Sequence, residues 1–145
     1  MKVFLSAATR ASQVDRKALA RSARTILSVL GSTDAELSVS LVDDAAIARL
    51  AGDYGRRPRA TDVLAFAQRE GRGRGDGRCL GDVVISLDTA RRQAARRGVP
   101  LARELEALLV HGCLHLHGLD HERRGDRARM RALERHVAWE LARLR

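Results

Sequence analysis

Apolar and polar positions follow two different periods along the chain. Residues 35–43, AELSVSLVD, alternate strictly, with Leu37, Val39 and Leu41 on one face, which is typical of a strand that buries one side. Residues 12–30 instead repeat apolar side chains at mostly helical spacing, and Gly31 follows as a fitting end for a helix. The two patterns together predict a chain that mixes strands and helices.

The remaining segments extend this mixture. The stretches MKVFLSA, TDVLAF and CLGDVVIS predict three more strands, and QREGRGRGDGR, which has no periodicity, predicts a loop. Further helices are predicted from a cap at Asp43 or Asp44 through Leu50, from a cap at Asp88 through Arg97, from Pro100 to about His117, and from Asp126 to Leu144.

The order of these elements, β-α-β-α-β-β-α-α-α, predicts an α+β fold. We expect a small mixed four-stranded sheet with about five helices packed mainly on one side. A length of 145 residues fits a single domain that spans 1–145.

Charge narrows the class of partner. The formal net charge is +9, and 27 residues are lysine or arginine, almost all of them arginine. This balance suits a polyanion such as nucleic acid. A GC-rich genome, which favours arginine codons, would give the same excess, and both explanations stay open.

Cysteine usage and hydropathy bear on the compartment. The two cysteines, Cys79 and Cys113, form no CxxC pair, so a reducing cytoplasm is expected. No apolar run approaches the roughly 18 residues that a membrane-spanning helix needs, so no membrane partner is expected.

Four of the five histidines fall within one stretch, HGCLHLHGLDH, at residues 111–121. Successive helical residues turn by about 100°, so His111 and His115 lie about 40° apart, one turn apart on one face. Gly118 can end the helix cheaply and let the chain bring His121 back to the same ion. Three neutral imidazoles with a fourth position open to water are the arrangement of a catalytic zinc, so one zinc ion per chain is predicted at the end of this helix.

Neighbouring polar residues are less suited to bind the ion. His117 lies about 200° round the helix from His115, so packing or surface exposure is expected for it. Cys113 is expected to be a small buried hydrophobe. Asp120 either accepts a hydrogen bond from a ligand imidazole or serves as a turn residue, and the two interpretations are equally supported.

The spacing His-x3-His-x2-Gly-x2-His is also that of the metzincin proteases. Those enzymes carry a glutamate directly after the first histidine as the general base. Here that position is Gly112, so zinc peptidase chemistry lacks its base.

The histidine stretch resembles the signature of the YbeY family of bacterial rRNA maturation factors, His-Gly-x-Leu-His-Leu-x-Gly-x-Asp-His. TDVLAF and LGDVVIS are similar to two further segments of the family in the same order and spacing, so the resemblance covers nearly the whole chain. The resemblance implies a small mixed sheet flanked by helices, with zinc held by His111, His115 and His121. It also implies a single-strand-specific endoribonuclease that acts in 16S rRNA 3′-end maturation and ribosome quality control, with the 16S rRNA precursor and the small ribosomal subunit as partners.

One loop departs from the family pattern. The family has Tyr-Arg-Gly before the Thr-Asp-Val-Leu strand, and its arginine is implied in activity. Here the stretch is YGRR, so Gly55 occupies the arginine position and Arg56 follows. Arg56 is the predicted catalytic residue, and Arg57 and Arg59 are predicted to bind RNA, although a solvated basic loop would also explain all three.

Two other functions stay open at this point. The protein could be a non-enzymatic assembly factor of the small subunit in which zinc only holds the fold. Structural zinc sites made of histidine alone are less usual than sites that contain cysteine. It could also be a metal hydrolase for another substrate, for which the charge of +9 favours an anion.

Overall fold

The computed structural model describes residues 1–68, 79–120 and 122–145. Its four strands are β1 (Lys2–Ala7), β2 (Glu36–Val42), β3 (Val63–Ala67) and β4 (Cys79–Ser86). They form one mixed sheet in the order β1-β2-β4-β3. β2 runs parallel to β1 and β4, whereas β3 pairs antiparallel with β4 and lies at the edge.

Five helices complete the described fold. They are α1 (Arg16–Val29), α2 (Asp44–Asp53), α3 (Leu87–Arg97), α4 (Leu101–Leu116) and α5 (Asp126–Arg143). The predicted α+β class and order of elements are confirmed. The predicted loop in QREGRGRGDGR, apart from Gln68, lies outside the described residues.

Two predicted helix bounds need correction. α1 begins four residues after Ser12, because Asp15 caps it by accepting a hydrogen bond from the Ala18 amide at 3.0 Å. α2, capped by Asp43, runs past Leu50 to Asp53.

The cap predicted at Asp88 is also wrong. Ser86 caps α3, since its hydroxyl oxygen accepts from the Thr89 amide at 3.2 Å. The Asp88 carboxylate instead accepts from the Asp44 amide at 3.0 Å and so ties α3 to the start of α2. Asp44 reinforces the tie by accepting from the Ser86 hydroxyl at 2.6 Å and the Thr89 hydroxyl at 2.7 Å. The hydrogen bond from Ser86 is the main reason that the pKa of Asp44 lies below its usual range.

The larger hydrophobic core lies between one face of the sheet and the helices α1, α3, α4 and α5. Leu37, Val39 and Leu41 point into it and are at most 1 % exposed, which confirms the predicted buried face of β2. On the opposite face a smaller cluster joins α2 to the sheet through Ile47, Ala51, Leu64 and Val84. Four of the described helices therefore pack on one side, as predicted.

Helix α4 lies close to the sheet because of two glycines. A Cβ built on Gly112 would lie 2.7 Å from one methyl carbon of Val83 and 3.0 Å from the other. One turn further along, Leu116 lies over Gly81, where a Cβ would be 2.9 Å from the leucine Cδ2 and where φ is +144°. This close packing sets the position of the α4 histidines relative to β3 and β4.

None of the helices in residues 1–68, 79–120 and 122–145 combines the length and the apolar character needed to cross a membrane.

Candidate metal centre

His111 and His115 meet on one face of α4. Their Nε2 atoms are 3.1 Å apart, and their ring planes cross at 75°. Two nitrogens that bind one tetrahedral zinc at its usual bond length lie roughly 3.3 Å apart. The pair therefore fits a shared zinc ion in both donor chemistry and spacing.

The third predicted ligand, His121, lies outside the described residues. The turn that precedes it is as predicted: Gly118 has φ +84°, and its amide donates to the His115 carbonyl at 2.9 Å. Within the described part of the chain, no group of three or more His, Cys, Asp or Glu side chains is placed to hold a metal. The role of His121 as a ligand stays a prediction.

His117 makes structural contacts and does not join His111 and His115. Its Nδ1 donates to the Cys113 carbonyl at 2.7 Å, and its Nε2 is 2.6 Å from the hydroxyl of Ser32. Because a carbonyl only accepts, the Nδ1 proton is fixed, and the ring joins the end of α4 to the loop before β2. His117 thus faces away from His111 and His115, as helix geometry predicts.

Cys113 is a buried thiol, as predicted. It is fully buried in the larger core, and burial raises its pKa to about 12. The side chain therefore stays a neutral thiol at physiological pH, which is a poor metal ligand.

Asp120 organises the turn after Gly118. Its carboxylate accepts from the Glu122 amide at 3.0 Å, and its own amide donates to the carboxylate of Asp126 at 3.1 Å. These bonds support the interpretation as a turn residue. A hydrogen bond from Asp120 to a ligand imidazole stays a prediction.

The histidine pair lies on the wall of a cleft of about 800 Å³. The cleft runs between α4, the loop after α2, the strand β3 and the turn after α4. Its charged lining residues are Arg56, Asp62, Asp120, Glu122 and Arg123. Both charge signs and two imidazoles thus share one open space.

Arg56 borders this cleft, directly after the turn that Gly55 makes. Gly55 has φ +74° and follows the last turn of α2, and the Arg56 amide donates back to the Ala51 carbonyl at 2.9 Å. Arg56 is the next side chain after that turn. Its guanidinium carbon lies 5.4 Å from the centre of the Phe66 ring, which packs on the α2 side of β3, so the charged group lies at the edge of the sheet beside the cleft. The one-residue offset of the arginine therefore still leaves an arginine on the cleft wall.

Arg57 and Arg59 are exposed on the same loop. They are not among the residues that line the cleft. Their predicted contact with RNA stays a prediction.

A second cavity of about 690 Å³ adjoins the first, since both are lined by Asp62 and His111. Sequence analysis missed its other polar residues, because they come from α3, α4, α5 and the chain end and meet only through packing. They are Gln93, Arg96, Arg97, Arg103, Glu104, Glu106, Glu134 and Arg145.

Two buried glutamates hold three of these arginines. Glu104 is 2 % exposed and pairs with Arg97 at 2.8 Å. Glu106 pairs with Arg103 at 2.9 Å and with Arg145 at 2.6 Å. Only one feature of the sequence indicated these ion pairs, namely that polar residues stand at positions 104 and 106 of a helix that is otherwise mostly apolar.

The packing around position 112 requires a glycine, independently of the protease base that this glycine replaces. The position is buried against Val83, where even one added carbon would collide. A glutamate could not stand there without moving α4, so the structure gives a second reason against peptidase chemistry.

Comparison with known proteins agrees with the family expectation. A sequence profile for the family described as "Endoribonuclease YbeY" matches residues 5–142. A Myxococcus xanthus protein of that name is 50 % identical over 119 residues, which cover 81 % of this chain but only 40 % of that protein. One from Geobacter metallireducens is 42 % identical over 140 residues, which cover 94 % of this chain and 93 % of that protein. One from Aquifex aeolicus is 44 % identical over 117 residues, or 80 % of this chain and 77 % of that protein.

The fold is also similar to a solved structure. The solution structure of a Thermotoga maritima protein superposes with a TM-score of 0.65 at 22 % identity, over 96 % of this chain and 88 % of the other. The chain belongs to the YbeY family of endoribonucleases, which confirms the predicted family and, at that level, the predicted enzyme class.

Proposed function

We propose that this protein is a zinc-dependent endoribonuclease that cleaves single-stranded RNA and acts in 16S rRNA 3′-end maturation and ribosome quality control. The observation that carries the proposal is the convergence of the His111 and His115 Nε2 atoms at 3.1 Å inside a cleft that Arg56 also lines. The ligands would be His111, His115 and His121. Membership of the endoribonuclease family supports RNA as the substrate.

The chain's own residues would bind and orient the phosphodiester. Arg56 offers a planar guanidinium that can pair with two phosphate oxygens and offset the charge that builds in the transition state. The carboxylates of Asp62, Asp120 and Glu122 line the same space and can accept the proton of an attacking hydroxyl or water. Zinc, when bound, would supply a Lewis acid that activates water and polarises a phosphoryl oxygen.

The cleft is large enough for part of an RNA chain. A volume of about 800 Å³ lies in the range of small-ligand pockets and leaves room for a nucleotide beside the histidine pair. Unpaired bases can be splayed out and stacked, which is how RNA sequence is usually bound by proteins. The exposed ring of Tyr54, 4.3 Å from the Phe66 ring on the α2 side of the edge strand and outside the cleft lining, offers a stacking surface for a neighbouring base.

The alternative of a purely structural zinc is less well supported. His111 keeps about a third of its side chain exposed, and the pair faces an open cleft rather than a closed interior. A closed structural site would bury all of its ligands behind protein.

The first test measures RNA cleavage and metal content together. The pure protein should contain about one zinc per chain and should cut an unpaired RNA much faster than the same sequence held in a duplex. A chelator should remove both the metal and the cleavage, and added zinc should restore them. Metal-independent cleavage by a protein that binds no zinc would contradict the proposal.

Arg56 should matter more than its neighbours. Arg56→Gln removes the charge from the cleft wall and should lower kcat roughly 100-fold while the metal stays bound. Arg49→Gln, an exposed arginine of α2 that does not line the cleft, is the matched control and should cut like the parent. If Arg57→Gln loses more cleavage than Arg56→Gln, the assignment of Arg56 is wrong.

The role in the ribosome needs a test in cells. Cytoplasmic small subunits from a host depleted of the protein should contain 16S rRNA with an unprocessed 3′ end. The parent gene should restore processing, and the Arg56→Gln variant should not. Normal processing with the Arg56→Gln variant, whose cleavage should be roughly 100-fold slower, would instead favour the non-enzymatic assembly factor.

A further inference from the structure

Helix α5 carries a carboxylate in its apolar stripe. The buried residues of this helix are Met130, Val137 and Leu141, which repeat at helical spacing on the face turned toward the core. Position 134 lies four residues after Met130 and three before Val137, so it belongs to the same face. A glutamate there starts from the packed face of α5, and its carboxylate, which stays partly in solvent, lies within reach of α4.

The partner of Glu134 is His111. One oxygen of the carboxylate lies 3.8 Å from Nδ1 of the His111 ring, and the two side chains are 42 % and 32 % exposed. No arginine or lysine among residues 1–68, 79–120 and 122–145 forms an ion pair with Glu134, although α5 is rich in arginine. Glu140 on the same helix does form an ion pair with an arginine, Arg143, at 2.7 Å.

The contact engages the nitrogen of His111 that points away from His115. The other nitrogen, Nε2, is the one that lies 3.1 Å from Nε2 of His115. A carboxylate only accepts hydrogen bonds, so it favours a proton on Nδ1 and leaves the Nε2 lone pair for a metal.

We propose that Glu134 is a positioning residue of the metal site, which fixes the tautomer and the orientation of His111. The inference rests on the proposed zinc site. A hydrogen bond requires a separation of about 3 Å, so the gap must close by less than about 1 Å, which the side-chain torsions of a glutamate easily allow. The contact also joins α5 to the metal-binding face of α4, which is why the sequence motif alone does not include it.

The test measures metal affinity in the absence of RNA. Purified metal-free parent and variants are titrated with zinc against a coloured chelator, and separately with cobalt, whose visible absorption reports ligand geometry. Glu134→Ala should bind zinc 10- to 100-fold more weakly, the range found when such supporting groups are lost. Glu134→Gln should lie between, because its amide oxygen still accepts a hydrogen bond from Nδ1. Glu140→Gln is the matched control and should bind like the parent.

The outcomes separate the inference from the proposed function. A parent that binds zinc, together with a Glu134→Ala variant of equal affinity and unchanged cobalt spectrum, would overturn only the role of Glu134. The role of Glu134 would also be overturned if Glu134→Ala lowers the unfolding temperature of the metal-free protein but leaves zinc affinity unchanged. A parent that binds no zinc would overturn the metal site itself and the inference with it.

Discussion

Replacing His115 by alanine should abolish cleavage of single-stranded RNA and strip the metal from the protein. The imidazole supplies one of two nitrogens that converge at 3.1 Å, and its removal leaves the site short of a ligand. Lewis-acid activation is worth several kcal/mol of the barrier, so the rate should fall roughly 1,000-fold or more. Metal analysis beside a cleavage assay of parent and variant measures both effects.

Two other histidines provide controls for this variant. His136→Ala changes an exposed side chain on α5 and should keep metal and activity. His117→Ala removes the contacts with Ser32 and the Cys113 carbonyl, so it should lower stability by about 1–3 kcal/mol but keep the zinc. A folded, metal-free His115→Ala variant that cuts as fast as the parent would exclude the zinc mechanism.

Replacing Gly112 by alanine should destabilise the protein, against the usual effect of this substitution. In the interior of a helix, alanine is normally more stable than glycine by about 1 kcal/mol. Here the new methyl group would lie 2.7 Å from a methyl of Val83, which is fully buried and stiff because it is branched at Cβ. Overpacking of this kind costs about 1–3 kcal/mol, so denaturant unfolding should show a net loss, with weaker zinc binding as α4 shifts.

A smaller side chain at position 83 should reverse the sign of the stability change caused by Gly112→Ala. Val83→Ala removes both methyl groups that meet position 112 and leaves a cavity beside α4. In that background, Gly112→Ala should stabilise the protein, because the methyl fills the cavity and the helical preference of alanine is regained. If Gly112→Ala stabilises the parent as well, the close contact does not limit the approach of helix and sheet.

The chain order of the elements and the meeting of His111 with His115 were within reach of the sequence. Strict alternation in β2 and the one-turn spacing of His111 and His115 depend only on neighbours in the chain, and both are found as predicted. Helix ends were less accurate, because several side chains compete for each cap. At α3, Ser86 takes the cap and Asp88 bonds to Asp44 instead, which only the packing of α2 against α3 decides.

The surroundings of the site were beyond local patterns. The contact of Glu134 with His111 joins residues 23 positions apart, and the second cavity gathers side chains from α3, α4 and α5. No periodicity encodes such meetings, since they depend on how helices lie across one another. Arg56 is an intermediate case. The motif indicated an arginine in this loop, and the packing of the loop leaves Arg56, rather than Arg57 or Arg59, at the border of the cleft.

The contact between Gly112 and Val83 also has an evolutionary consequence. The metzincin spacing suggests that one substitution, glycine to glutamate, could open a path from an RNA-cutting site to a peptide-cutting one. The buried valine closes that direct path, since the first mutant would be strained before it gained any new activity. A lineage would have to shrink Val83 first and tolerate the cavity, so the order of mutations is constrained by packing alone.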